Sequence, residues 1–241
     1  MTETPAGASS SNSGLWEDFI DILYQPSAVF DRRREGQFGL GLVVLIVMWA
    51  VLYFALQNGI GPIIDVEMSR QAAAMAEKNP SMTAEQLSSA KSAMEKFALF
   101  GAIIFVPVGI FITGVLLWLA GKIVEAKVAF AAAMMIATYS QIPRIIELVL
   151  NAVQGLFMPP EAITSRYAVT LGIGRFLDPD SNPILLTVLG GIDLFTIWTL
   201  VLMAIGLSVV ARTSLKRGAI AAALVWCVTL LPALFGALAQ G

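Results

Sequence analysis

The chain has 241 residues, of which 57% are hydrophobic and 13% charged, roughly half the charged share of a soluble domain, so one water-soluble core cannot hide its apolar surface. A net charge of −2 without a long Lys/Arg run excludes a phosphate-tracking surface, and no nucleic-acid partner is expected. Histidine is absent and Cys227 is the single cysteine, which removes the usual general base, zinc ligand and disulfide chemistry, so no metal or other cofactor is expected. The expected fold class is all-α: a polytopic membrane helical bundle.

Residues 1–14 are small, polar and proline-bearing, and a disordered tail is expected there. No basic start, apolar core and cleavage site occur in sequence over 1–37, so the first span is expected to direct insertion. Residues 15–37 form a cytoplasmic amphipathic segment. In it Trp16, Phe19, Ile20 and Leu23 fall on one helical stripe, Glu17, Asp18 and Asp21 face elsewhere, and Pro26 ends the helix. Two readings stand side by side: a short helix packed on the rest of the protein, or a helix in the membrane interface. In the second, Trp16 and Phe19 enter the lipid and Arg32, Arg33 and Arg34 meet anionic head groups.

Residues 38–241 form the membrane domain. Five apolar runs reach the roughly 20 residues that a span needs: about 38–60, 97–121, 128–152, 184–211 and 219–239. "KIVEAK" joins the second to the third and "RTSLKRG" the fourth to the fifth, links short enough to force antiparallel pairs. Residues 31–37, 122–127 and 212–218 carry eight Lys/Arg in 20 positions, against six in the 67 positions of 61–96 and 153–183. Basic residues gather on the cytoplasmic side, so the N-terminus is expected inside and the C-terminus outside, in a bacterial inner membrane. The connection 61–96 reads as an outer helical hairpin. Asn79-Pro80 breaks it, and Thr83 and Gln86 have the spacing of a capping box opening the helix that leads into the second span.

Three ionisable residues fall inside the runs: Arg144, Glu147 and Asp193. Each costs several kcal/mol in hydrocarbon unless it is partnered. Ser140, Arg144, Glu147 and Asn151 share one helical face, which must look into the bundle. On a rise of 1.5 Å per residue, Arg144 lies about 12 Å and Asp193 about 13.5 Å from the outer ends of their spans, level enough to pair. Gly190 would let the two backbones approach, and Glu147 would close a triad. Pro143 removes a hydrogen bond to the carbonyl of Tyr139 and kinks the helix, with Ser140 and Gln141 near enough to satisfy the freed groups. The cluster reads first as a clamp holding spans three and four in register, and second as a binding or proton site at a broken helix.

Other signals are weaker. Gly101, Gly109, Gly114 and Gly121 suggest helix packing, and Trp49, Trp118, Trp198 and Trp226 packing or interface anchors. "GIGRFLDPDSNP" over 172–183 lacks the strand and the Lys or Ser/Thr of a phosphate loop, and its aspartates suit Asx-type turns.

"DILYQPSAVFDR", "ATYSQIPRIIELV" and "GGIDLFTIWTLVLMAIGLSVVARTSLKRGAIAAAL" together resemble bacterial members of the Yip1 family, from about residue 15 to 239. The sharpest features are Tyr139 to Pro143 and the D-x-F-x-x-W of Asp193, Phe195 and Trp198. The resemblance implies a five-span helical protein with a cytoplasmic N-terminus and supplies no catalytic residue to carry over. Eukaryotic relatives act in vesicle traffic and bind prenylated Rab-type GTPases, but their Asp-Leu-Tyr-Gly-Pro motif is absent here. The function expected is a non-enzymatic scaffold or membrane-organising factor whose partners are the bilayer, a membrane or cytoplasmic protein, and a second copy of the chain. The alternative is a small transporter or channel using the Arg144 cluster.

Overall fold

A computed structural model describes residues 14–180 and 182–238, with side chains at 98–100 and 102–103 left aside. The tail over 1–13 and residue 239 of the fifth run lie outside the described residues. The described elements are helical: α1 (Leu15–Asp21), α2 (Pro26–Arg32), α3 (Gly39–Ala55), α4 (Gln57–Lys78), α5 (Ala84–Ile123), α6 (Phe130–Tyr139), α7 (Ile142–Phe157), α8 (Pro183–Gly190), α9 (Leu194–Val210) and α10 (Leu215–Leu238). Three short 3₁₀ turns at 160–162, 166–169 and 173–176 lie between α7 and α8.

The core is built around α6, whose residues from Ala132 to Tyr139 are all buried. Small residues let the neighbours close on it: a Cβ on Gly114 of α5 would strike the Met134 sulfur, and one on Gly206 of α9 would lie 2.7 Å from Ile136. Helix α5 packs along α6, and α9 along α10. The links between them, 124–129 and 211–214, each turn on a left-handed residue, Glu125 (φ 57°) and Arg212 (φ 50°). Ala126 N–H then returns to the Gly121 carbonyl at 2.8 Å and Thr213 N–H to the Ser208 carbonyl at 3.0 Å, which satisfies helix-end acceptors. Arg217, in the first turn of α10, meets Glu125 of the first link at 3.3 Å.

Two helical segments among the described residues are long and apolar enough to cross a membrane, Ile104–Ile123 and Leu215–Leu238, and a third if α3 and α4 count together. The runs expected as spans over 38–60, 128–152 and 184–211 are each interrupted. The third breaks beside the kink expected at Pro143, and the fourth, long enough to be tilted or to carry a surface turn before Gly190-Gly191, breaks at that glycine pair. The first stops at Ala55, and α4 leaves it at 84°. The cause is tertiary: Gly59 lies against the carbonyl of Ala152, and Gly155 against the carbonyl of Gly59, so bare backbone seats α4 on α7. The third run divides at Ser140–Gln141 before Pro143, and the fourth between Gly190 and Leu194. Over 79–83 the chain turns from α4 into α5. There Thr83 Oγ1 accepts from Gln86 N–H at 3.2 Å and Gln86 Oε1 from Thr83 N–H at 2.9 Å, the reciprocal pair that their spacing predicts. Lys91 Nζ spans from α5 to Asp65 of α4 at 2.6 Å.

Candidate functional site

Pro143 sits in the first turn of α7, where it has no helical donor to lose, and the helix restarts rather than bends. Helix α6 closes on itself, with Ser140 N–H on Ile136 at 3.0 Å and Gln141 N–H on Thr138 at 3.2 Å. The expected repair by side chains is not made. Ser140 Oγ is buried and has no partner among the described residues, and Gln141 makes no side-chain cap on α7.

One turn further, Arg144 reaches in two directions. Its Nη1 donates to Glu147 Oε2 at 2.6 Å on its own helix, and its Nη2 donates to Thr196 Oγ1 of α9 at 2.9 Å. Asp193 Oδ2 stands 3.8 Å from Nη1, beyond hydrogen-bond range. The two charges thus form the expected ion pair at long range, bridged by Thr196, and Asp193 is at the same time the N-cap of α9. Its Oδ1 accepts from the amides of Phe195 and Thr196, each at 2.8 Å, and its Oδ2 accepts from the Thr196 hydroxyl at 2.6 Å. The carboxylate is satisfied by the end of its own helix, which also places the positive end of the helix dipole against it.

The surroundings of Asp193 explain the break. Ile173 N–H meets the Ile192 carbonyl at 3.2 Å, and Leu194 N–H meets the Leu171 carbonyl at 3.1 Å. Gly172 permits this crossing, because a Cβ there would lie 2.7 Å from that of Asp193. Gly190 serves the same segment: its bare backbone faces the ring of Tyr167, not α7 as expected. In the same region Asp180 N–H bonds Asp178 Oδ1 at 2.9 Å, an Asx-type turn, and Arg70 reaches Asp180 at 2.9 Å. Among the described residues no group of three His, Cys, Asp or Glu side chains could hold a metal ion.

Thr196 is the member of the cluster that sequence reading missed. The signal was local: an aspartate after Gly190-Gly191 with a threonine three positions on is a helix-start pattern. Beside the cluster lies a cavity of about 730 Å³, lined by Gln141, which precedes α7, and by Arg144, Glu147 and Asn151 of α7. Leu45 and Trp49 of α3, Ile110 of α5 and Pro232 of α10 contribute to its other walls.

The N-terminal residues lie elsewhere. Asp18 is completely buried, held by Arg32 at 2.7 Å and Arg33 at 2.6 Å, and Arg32 also meets Asp21 at 2.7 Å. Burial works against the Arg32 charge, but the hydrogen bonds to Asp21 and Asp18 together with the attraction of both carboxylates outweigh it and hold its pKa above the usual arginine value. Phe19, Ile22, Val29 and Phe30 join the main core. This corrects the interface reading for three residues: Phe19 is only 7% exposed, and Arg32 and Arg33 turn onto Asp18 because an unpaired buried carboxylate is too costly. Arg34 remains at the surface, 3.5 Å from Asp31. Trp16 is 64% exposed, with Ile20 and Tyr24 on the same outward side.

The family model for the Yip1 domain matches residues 20–237. The membrane protein YknW of Bacillus subtilis (strain 168) is similar at 23% identity over 236 residues, covering 98% of this chain and 96% of that protein. No solved structure matches the chain.

Proposed function

The chain belongs to the Yip1 domain family of membrane proteins, and from that premise we propose a non-enzymatic, multi-pass scaffold or membrane-organising factor of a bacterial inner membrane. In this reading five crossings are made by α3, the apolar half of α5, α6–α7, α8–α9 and α10. Basic residues gather at the end bearing links 124–129 and 211–214, so that end and the N-terminus face the cytoplasm, with the C-terminus outside.

The carrying observation is the fixed seat of α1–α2. Asp18 and its two arginines lock the pair onto the bundle, while Trp16, Ile20 and Tyr24 stay exposed. An aromatic stripe on a rigid support suits recognition of a protein partner, since little ordering entropy is lost on binding. A second copy of the chain is one such partner.

The test is the triple variant Trp16→Ser, Ile20→Ser, Tyr24→Ser. Detergent thermal stability should be unchanged while complementation of a deletion strain and crosslinking from a probe at exposed position 17 are both lost. Full complementation by the variant sinks the reading. Deleting 15–37 would not serve, because it strips Phe19, Ile22, Val29 and Phe30 from the core.

A second reading, a small transporter or channel, is favoured by the cavity against Arg144, Glu147 and Asn151, whose volume of about 730 Å³ lies in the roughly 300–1,000 Å³ range of small-molecule sites. Its test is solute-dependent flux in proteoliposomes, abolished by filling the cavity.

A further inference from the structure

We infer that the cavity beside α7 binds the phosphate–ammonium headgroup of an amphiphile, with phosphatidylethanolamine as its occupant. The inference deepens the second reading above in that it needs a ligand in the cavity, but it requires no transport.

The lining divides sharply. Nearly all charged and amide-bearing groups stand on one stripe of α7, and the facing walls are apolar. Two wall threonines, Thr113 and Thr229, donate their hydroxyl protons to the carbonyls of Gly109 and Trp226 at 2.8 and 2.9 Å, so they offer the cavity only lone pairs. Pro232 in α10 provides no N–H for the Val228 carbonyl one turn back, another acceptor at this wall. Asn151 Oδ1 is buried with no partner among the described residues, and Glu147 is bonded through Oε2. Open acceptors thus gather at this lining, Asn151 Oδ1 above all, and a ligand bringing N–H donors would satisfy them.

The one cation is Arg144. It has five N–H donors, of which Glu147 and Thr196 each engage one, and its side chain is 32% exposed. The remaining donors suit a phosphate, which guanidinium binds in a forked geometry. The Glu147 carboxylate stands directly beside the guanidinium, Oε2 at 2.6 Å from Nη1, so a phosphate on the other Arg144 donors and an amine at Glu147 are neighbours that a two-carbon link can bridge. A phosphate on Arg144 therefore leaves the ammonium at Glu147, with Asn151 Oδ1 one turn further as a second acceptor. The way out for acyl chains is lateral: Phe105 and Ile112 line the cavity and are also 55% and 48% exposed on the outer face of α5.

The full chain, purified in detergent, is examined by native mass spectrometry with equal amounts of phosphatidylethanolamine, phosphatidylcholine and phosphatidylglycerol of matched chains. Phosphatidylethanolamine should be retained about tenfold over both, since choline has no N–H and glycerol no cation, each lacking one charge-assisted bond. Glu147→Gln should remove that preference. Gly109→Leu should abolish the adduct without unfolding, because a Cβ at Gly109 meets nothing within 4 Å. Equal retention of the three lipids, or a phosphatidylethanolamine adduct that survives Gly109→Leu, overturns the inference. If a different lipid is retained and is lost in Gly109→Leu, the headgroup assignment fails while the cavity stays a ligand site. Soluble phosphoethanolamine as a separate probe distinguishes sources: binding lost in Glu147→Gln, with no lipid preference, gives the headgroup chemistry a soluble origin and overturns the lipid.

Discussion

The ring of Phe19 meets that of Tyr139 edge-on, 5.9 Å between centroids, and so fastens the N-terminal helix to the last residue of α6, directly before the break that opens α7. The two residues differ in one respect. Phe19 is apolar throughout, whereas the Tyr139 hydroxyl is buried with no partner among the described residues. Phe19→Ala should therefore cost about 3 kcal/mol by leaving a hole in the core, and Tyr139→Phe should stabilise by about 1 kcal/mol through removal of a buried, unmatched hydroxyl. Thermal unfolding in one detergent measures both. A destabilised Tyr139→Phe would mean that the hydroxyl has a partner.

Asp18 provides a contrast between buried and exposed charge pairs. Asp18→Asn keeps the shape and removes the charge that holds Arg32 and Arg33, and should cost about 2 kcal/mol, less than for a wholly buried pair because both guanidinium groups are partly exposed. Arg34→Ala breaks only the exposed pair with Asp31 and should cost less than about 0.5 kcal/mol. Equal effects in unfolding experiments would contradict the burial difference between the two sites.

Asp193 and Arg144 separate capping from ion pairing. Asp193→Ala should cost about 1–2 kcal/mol through loss of the α9 cap, while Asp193→Asn, which keeps an acceptor for the amides of Phe195 and Thr196, should cost less than about 0.5 kcal/mol. Double-mutant cycles then apportion Arg144. Its coupling to Glu147 at 2.6 Å should exceed about 1 kcal/mol, and its coupling to Asp193 at 3.8 Å should stay below about 0.5 kcal/mol. A larger coupling to Asp193 would restore the interhelical ion pair as the main tie.

What could be read in the sequence was local or compositional. Thr83 and Gln86 announce their helix start because the bonds they make span three residues. Apolar run length found where helices lie, but not where they stop, because an apolar residue continues a run whether or not the backbone does. Asp193 shows this: its pairing with Arg144 is legible from depth, but the run 184–211 hides its second role as the cap of α9, which Thr196 signals locally. The direction of the α1 stripe was also beyond reach. Asp18 turns inward because Arg32 and Arg33 lie at the end of the next helix, and a helical projection of α1 does not contain that helix. After the bend that ends α3, Gly59 meets the backbone at Ala152, and the first run holds only one side of that contact.

That last contact also carries a consequence for biogenesis. Gly59 and Ala152 are 93 positions apart, so at a synthesis rate of about 5–20 residues per second the ribosome needs roughly five to twenty seconds to deliver one after the other. Through that interval α4 can meet α5, as Lys91 and Asp65 do, but it lacks the α7 backbone that seats Gly59. An intermediate halted before residue 142 would therefore hold the elbow at Leu56 without its contact to α7.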